Sequence, residues 1–189
     1  MIITSATFVK GVTDIRQFAE DTLPHVAFIG RSNVGKSSTI NLLTKQKALA
    51  KTSATPGRTK ELNVFLINHK YYLVDLPGYG YAKASPKDRA QMQALIGDYL
   101  FVSTHVQQKV VLIIDAVVGP TDADMEMLHA LEQSGKSILV IANKIDKVKK
   151  SQLSAQLKKI QGIIGAHAFV PYSAEKKIGI PQILEAIDK

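Results

Sequence analysis

Eight residues, Gly30-Arg31-Ser32-Asn33-Val34-Gly35-Lys36-Ser37, carry the spacing G-x-x-x-x-G-K-S between an apolar strand-length run, His25-Ile29, and a helix-length segment, Lys36-Thr44. That order suits a loop built to hold phosphate. Gly30 and Gly35 let the backbone wrap closely, so that successive N–H groups and the helix N-terminus face negative charge. Lys36 brings a positive charge to the β- and γ-phosphates of a nucleotide, and Ser37 offers a hydroxyl to Mg2+. The plain alternative is a glycine-rich turn that happens to precede a helix; the flanking strand and helix weigh against it.

Further clusters stand at strand ends. Asp75-Leu76-Pro77-Gly78 closes the run Tyr71-Leu76. A carboxylate there can hold Mg2+ through water, and Gly78 can present its N–H to a γ-phosphate. Alone, these four residues are ordinary turn punctuation; their weight comes from lying one hairpin after the phosphate loop's helix. Asn143-Lys144-Ile145-Asp146 follows the run Ser137-Ala142. Guanine displays two donors side by side, N1–H and the 2-amino group, and Asp146 can accept from both, whereas adenine would leave that carboxylate unpaired. Asn143 can bond the acceptor edge, and the stem of Lys144 can cover the ring. The competing explanation is a helix's first turn with Asp146 as N-cap. Tyr172-Ser173-Ala174 follows the last strand candidate and can bring a backbone N–H to the guanine O6, although a serine there is by default a helix cap.

The elements that must position these clusters alternate. Strand candidates are His25-Ile29, Leu62-Ile67, Tyr71-Leu76, Val110-Asp115, Ser137-Ala142 and His167-Pro171, and helix candidates are Lys36-Thr44, Pro86-Val102, Asp122-Ser134, Ser151-Ile163 and Pro181-Ile187. Strands separated by helices imply an α/β fold with a mostly parallel sheet of six or seven strands and helices on both faces. Only Leu62-Ile67 and Tyr71-Leu76 are joined by a short turn, so they form the one antiparallel hairpin. Ser85, Thr121 and Ile180 stand where helices start. Gln46-Lys60 and Pro77-Ala84 read as loops. Residues 1-24 are the least legible: Thr7-Val12 suits an edge strand, and Gly11-Pro24 a helix and linker ahead of a nucleotide-binding domain over 25-189.

The 189 residues contain no cysteine, which excludes disulfide frameworks, thiolate metal sites and cysteine nucleophiles and fits a reducing cytoplasm. No apolar run approaches a membrane span, and the N-terminus lacks the basic-then-apolar order of an export signal, so a soluble, unexported protein is expected. His25, His69, His105, His129 and His167 lie far apart and show no metal-ligand spacing. Lys and Arg outnumber Asp and Glu by 24 to 16 in ordinary globular material, which points to an anionic partner.

Over about Val26 to Lys189 the chain resembles the translation-factor class of P-loop GTPases. Within that class Gly30 to Ser37, Thr55-Pro56-Gly57-Arg58-Thr59 and Asp75-Leu76-Pro77-Gly78-Tyr79-Gly80-Tyr81-Ala82 are similar to the EngB (YihA/YsxC) family of bacterial GTPases. The resemblance implies the P-loop GTPase fold, GTP/GDP and Mg2+ as ligands, a monomer, and a part in assembly of the large ribosomal subunit and in normal cell division and septation. It also implies that Thr59 binds Mg2+ and senses the γ-phosphate, within a nucleotide-contacting stretch Gly57, Arg58, Thr59, Lys60 and Glu61. From residue type alone, Thr52 and Thr55 are equal candidates.

Hydrolysis requires an in-line water and neutralisation of the charge on the phosphate oxygens. Many small GTPases place a Gln directly after D-x-x-G. Tyr79 stands there and cannot serve as the same donor and acceptor, so unstimulated turnover is expected to be slow. Asn33 as a K+ ligand, Arg58 acting in cis, or a group from a partner are candidates to complete the site, the first because related GTPases with Asn at this position use it so.

From Ile141 to Lys189 nine lysines face four acids, and Lys147, Lys149, Lys150, Lys158 and Lys159 surround one helix. Such a surface suits rRNA phosphate, or is simply a solvated face. The two loops are expected to change order with the γ-phosphate, Tyr79 and Tyr81 being contacts for a partner or packing aromatics. Rival readings are a division-machinery switch that binds protein only and a P-loop kinase, the latter disfavoured by the Asn143/Asp146 pair.

Overall fold

The computed structural model describes residues 2–18, 22–50, 61–80 and 85–189. Seven strands form one sheet in the order β1-β3-β4-β2-β5-β6-β7. They are β1 (Ala6–Val12), β2 (His25–Gly30), β3 (Leu62–Ile67), β4 (Tyr71–Asp75), β5 (Gln107–Asp115), β6 (Ile138–Asn143) and β7 (Ala168–Pro171). From β4 through β2 and β5 to β7 every pairing is parallel, and the hairpin β3-β4 is antiparallel. The N-terminal segment adds a second antiparallel pairing, β1 on β3. Of the helix and linker expected over Gly11-Pro24, the described residues show Gly11 and Val12 in β1 and a 3-10 turn at Ile15–Gln17; residues 19–21 lie outside them.

Parallel strands buried on both faces explain the unbroken apolar runs. In β5, Val110, Leu112 and Ile114 face one core while Val111 and Ile113 face the other, and β6 divides in the same way. Helices α2 (Pro86–Gly97), α3 (Asp122–Gln133) and α4 (Lys150–Ile164) cover the first face with Leu95, Leu128 and Ile160. Helices α1 (Lys36–Leu43) and α5 (Ile180–Asp188) cover the second with Ile40 and Ile183. The segment read as one helix over Pro86-Val102 changes to a wider π turn at Asp98–Val102, in which Tyr99 and Leu100 are both fully buried.

Strand register sets the site. Phe28 pairs with Asp75, Gly30 with Ile113, and Asp115 with Asn143, so the C-terminal ends of β2, β4, β5 and β6 lie along one edge of the sheet. Ligands of open α/β sheets bind outside this edge. Among the described residues no helix is long and apolar enough to cross a membrane.

Candidate functional site

The phosphate loop runs from the end of β2 to the start of α1. Gly35 precedes α1 at φ 104 and caps it with no side-chain hydrogen bond, and Asn33 at the exposed tip is also left-handed, with φ 63. Lys36 is buried, and its ammonium lies 3.3 Å from the Gly30 carbonyl and 3.5 Å from that of Arg31. Burial pushes it below the usual lysine range, against the pull of Asp75. Beside it the Ser37 hydroxyl donates to Asp75 Oδ2 at 2.7 Å. Asp75 is driven above the ordinary carboxylate range by burial, with Lys36 and the Ser37 hydroxyl opposing. Its Oδ1 is buried without a hydrogen-bond partner among the described residues. A buried carboxylate with one oxygen unbonded among the described residues, next to a hydroxyl, fits a divalent cation, and a desolvated ammonium fits an anion.

Past β4, Leu76 N–H still donates to Phe28 O at 3.0 Å, which carries the chain toward the phosphate loop. Pro77 then turns it so that Gly78 stands against Ser32 and Lys36. A Cβ on Gly78 would lie 2.9 Å from Ser32 N and 3.0 Å from Lys36 Nζ, so only glycine fits this approach. Ser32 N–H donates to Tyr79 O at 3.0 Å, and the Ser32 hydroxyl reaches Gly78 O at 3.4 Å. The Tyr79 side chain turns away from the phosphate loop and donates its hydroxyl to Asp124 Oδ1 at 2.8 Å. Arg31 turns the same way, with Nε 3.2 Å from Asp124 Oδ2.

The second half of the site is built around Asn143. Its side-chain amide donates to Val34 O at 2.8 Å, and its oxygen accepts from Lys144 N–H at 2.7 Å and Ala174 N–H at 3.1 Å. One residue thus joins the phosphate loop to both segments expected to meet a base. Lys144 is left-handed, with φ 70, and its ammonium pairs with Asp115 Oδ2 at 2.7 Å, which stretches its stem along the edge of the sheet. Asp146 lies in a 3-10 turn, Ile145–Lys147, and caps no helix. The Ser173 hydroxyl donates to Asp146 Oδ1 at 2.5 Å and is the first reason this carboxyl sits below its usual range. The same Ser173 oxygen accepts from Lys176 N–H at 2.9 Å, so Ser173 shapes its turn as well as orienting Asp146.

Comparison with known proteins decides among the chemistries this edge can support. A family model described as 50S ribosome-binding GTPase matches residues 25–144, and one described as Elongation factor Tu GTP binding domain matches residues 100–189. A probable GTP-binding protein EngB of Clostridium perfringens is 42% identical over 98% of this chain and 95% of its own length. Its counterpart in Bacteroides fragilis is 42% identical over 100% of this chain and 96% of its own. The chain belongs to the EngB family of GTP-binding proteins. Among solved structures, a probable GTP-binding protein engB superposes with TM-score 0.69 at 23% identity, over 87% of this chain and 96% of its own. Era in complex with MgGDPNP and a piece of 16S ribosomal RNA superposes with TM-score 0.69 at 25% identity, over 88% of this chain and 56% of Era. The fold is that of P-loop GTPases.

Within this EngB fold the expected residues divide. Gly30, Ser32, Val34, Gly35, Lys36 and Ser37 of the phosphate loop meet Asp75 and Gly78 on one side and Asn143 on the other. Leu76 is in the core, and Tyr172, also fully buried, contributes its backbone carbonyl, which accepts from Ile145 N–H at 3.2 Å. The side chain of Arg31, a residue expected among the nucleotide contacts, faces Asp124 of α3. Asn143, expected at the base's acceptor edge, is held in place by Val34, Lys144 and Ala174. Glu61, placed in the nucleotide-contacting stretch, carries its carboxylate over Gly11 of β1, where the absence of a Cβ leaves room for it. Gly57, Arg58, Thr59 and Lys60, with the rival threonines Thr52 and Thr55, lie outside the described residues, as does Tyr81. Sequence reasoning passed over Asp115 and Asp124; Thr121-x-x-Asp124 carries only the local signal of a helix start.

Proposed function

We propose that this protein hydrolyses GTP slowly and acts as a nucleotide-controlled factor in assembly of the large ribosomal subunit. The hydrolytic half rests on one arrangement, Gly78 held against Lys36 beside the Ser37-Asp75 pair. Ser37 and Asp75, with Thr59 from the family pattern, would hold Mg2+, which when bound supplies positive charge to the triphosphate. Lys36 neutralises the phosphate oxygens, and the Gly78 N–H is placed to sense the third phosphate. Asp146, oriented by Ser173, selects guanine. No side chain of the Tyr79 position is available to orient water, since its hydroxyl is bonded to Asp124, and this supports a low unstimulated rate. Asn33, at the exposed tip, is the proposed K+ ligand.

The ribosomal half is carried by α4. Its inward residues Leu153, Leu157, Ile160 and Ile164 join the core, while Lys150, Lys158 and Lys159 are exposed, and the helix contains no acid. A cationic face free of carboxylates suits RNA phosphate read by shape and charge. The 50S ribosome-binding description of the matched family model supports the same partner. Co-sedimentation with isolated large subunits tests the reading. Binding should favour the GTP form over GDP and fall steeply between low and physiological salt; salt-insensitive capture of protein alone would point to the division-machinery reading instead.

A further inference from the structure

Asp124 is 1% exposed, yet its carboxylate serves three separate elements. Oδ2 accepts from Thr121 N–H at 2.9 Å and from the Thr121 hydroxyl at 2.8 Å, which fixes the start of α3. The same oxygen faces Arg31 Nε of the phosphate loop at 3.2 Å. Oδ1 accepts from the Tyr79 hydroxyl, one residue past Gly78, at 2.8 Å. A helix cap needs only the first pair of bonds. Burying a carboxylate is costly unless donors and charge surround it, and here a donor, the Tyr79 hydroxyl, comes from the segment after Gly78 while the Arg31 guanidinium of the phosphate loop adds the positive charge.

The backbone repeats the connection. Arg31 and Tyr79 form a parallel bridge, and the Ser32 N–H reaches Tyr79 O. Gly80, with φ 74, passes over the Arg31 stem at a distance where an added Cβ would lie 3.8 Å away. Gly78 is therefore placed against Lys36 by neighbours on both sides: Asp75 anchored through Ser37, and Tyr79 anchored through Asp124.

We propose that Asp124 is a positioning residue for GTP hydrolysis: by gathering the Tyr79 hydroxyl and the Arg31 guanidinium on one carboxylate, it registers Gly78 against the phosphate loop. This rests on the hydrolysis reading above. Asp124 touches no phosphate; it acts through Tyr79. Gly78 N–H is of use only where a third phosphate exists, so loosening it weakens the triphosphate complex and slows its hydrolysis while the diphosphate complex is unaffected.

The test uses the full chain with GTP, GDP and the non-hydrolysable analogue GMPPNP. Tyr79→Phe keeps the ring and deletes the bond, and Asp124→Asn keeps the shape and deletes the charge. Each should lower kcat about tenfold or more, lower GMPPNP affinity and raise KM for GTP in step, and leave GDP affinity within about twofold. Because Tyr79→Phe removes one of the contacts that Asp124→Asn also weakens, the double variant should be no slower than the slower single. Should Asp124→Asn fail to fold, Tyr79→Phe carries the test. Wild-type kcat and wild-type GMPPNP preference in Tyr79→Phe, effects that multiply in the double variant, or GDP affinity falling in step with kcat would each overturn the proposal. A wild type that binds GTP without turning it over refutes the hydrolysis reading alone, and the GMPPNP-to-GDP ratio still decides the role of Asp124.

Discussion

The side-chain amide of Asn143 donates to the backbone carbonyl of Val34 at 2.8 Å across 109 residues of chain, and so pins the base-reading end of the site to its phosphate-holding end. The joint leaves no space: a Cβ on Gly35 would stand 2.4 Å from Asn143 Nδ2, at a φ of 104 that side chains rarely adopt.

Asn143→Ala should therefore weaken GTP and GDP alike, since it uncouples the two ends without touching the third phosphate. It leaves Val34 O, Lys144 N–H and Ala174 N–H without their partner, at a cost of about 2–3 kcal/mol in stability. Denaturant unfolding and nucleotide titration measure the two effects. Gly35→Ala should be worse, through both the clash and the strained backbone.

The buried pair Lys36 and Asp75 gives a pH dependence whose sign is fixed. Asp75 is raised in the folded state, so the native protein binds the proton more tightly than the unfolded chain. Without nucleotide, that contribution to stability is fullest at low pH and is lost as pH rises from the usual carboxylate range through the folded Asp75 value. Asp75→Asn should abolish this loss and raise the thermal midpoint above that value, by about 3 °C for each kcal/mol recovered. The same variant should no longer gain GTP affinity from Mg2+. A lower midpoint together with retained Mg2+ dependence would contradict the assignment.

Much of this was legible because phosphate and guanine sites are written locally. Glycine spacing fixes where backbone must approach phosphate, and Asn143 to Asp146 follow one strand end directly. What escaped was everything made by distant partners. Asp124 reads as a capping residue, and nothing near it in sequence shows that Tyr79, 45 residues away, will reach it. Asp115 is one more strand end until the register sets it beside Asn143, within reach of Lys144. Motif membership says nothing of where the Arg31 side chain goes, because side-chain direction in a loop depends on what packs outside it, here Asp124. The change of helix at Asp98 is invisible to periodicity, since a widened turn serves to bury Tyr99 and Leu100 together.

Ser173→Ala tests the orientation of Asp146. Loss of the 2.5 Å hydrogen bond should return the Asp146 carboxyl toward its ordinary range and cost about fivefold in GTP affinity. Guanine needs the ionised carboxylate, so in a pH titration affinity should begin to fall at higher pH in the variant than in the wild type. Superimposable pH profiles would remove Ser173 from base recognition.

The proposed K+ ligand makes a simple contrast. Turnover should be faster in potassium than in sodium at equal ionic strength, and Asn33→Ala should remove the difference with GDP affinity kept within about twofold. Equal rates in the two salts would leave Asn33 as a loop-tip residue with φ 63 and no part in hydrolysis.

Nucleotide competition with wild type and Asp146→Asn bears most directly on whether one crevice grips a triphosphate and reads guanine. Wild type should be displaced by GTP and GDP and not by ATP or XTP, and the variant should exchange that preference for xanthine nucleotides by at least about a hundredfold. ATP displacing label from the wild type as well as GTP does would contradict it.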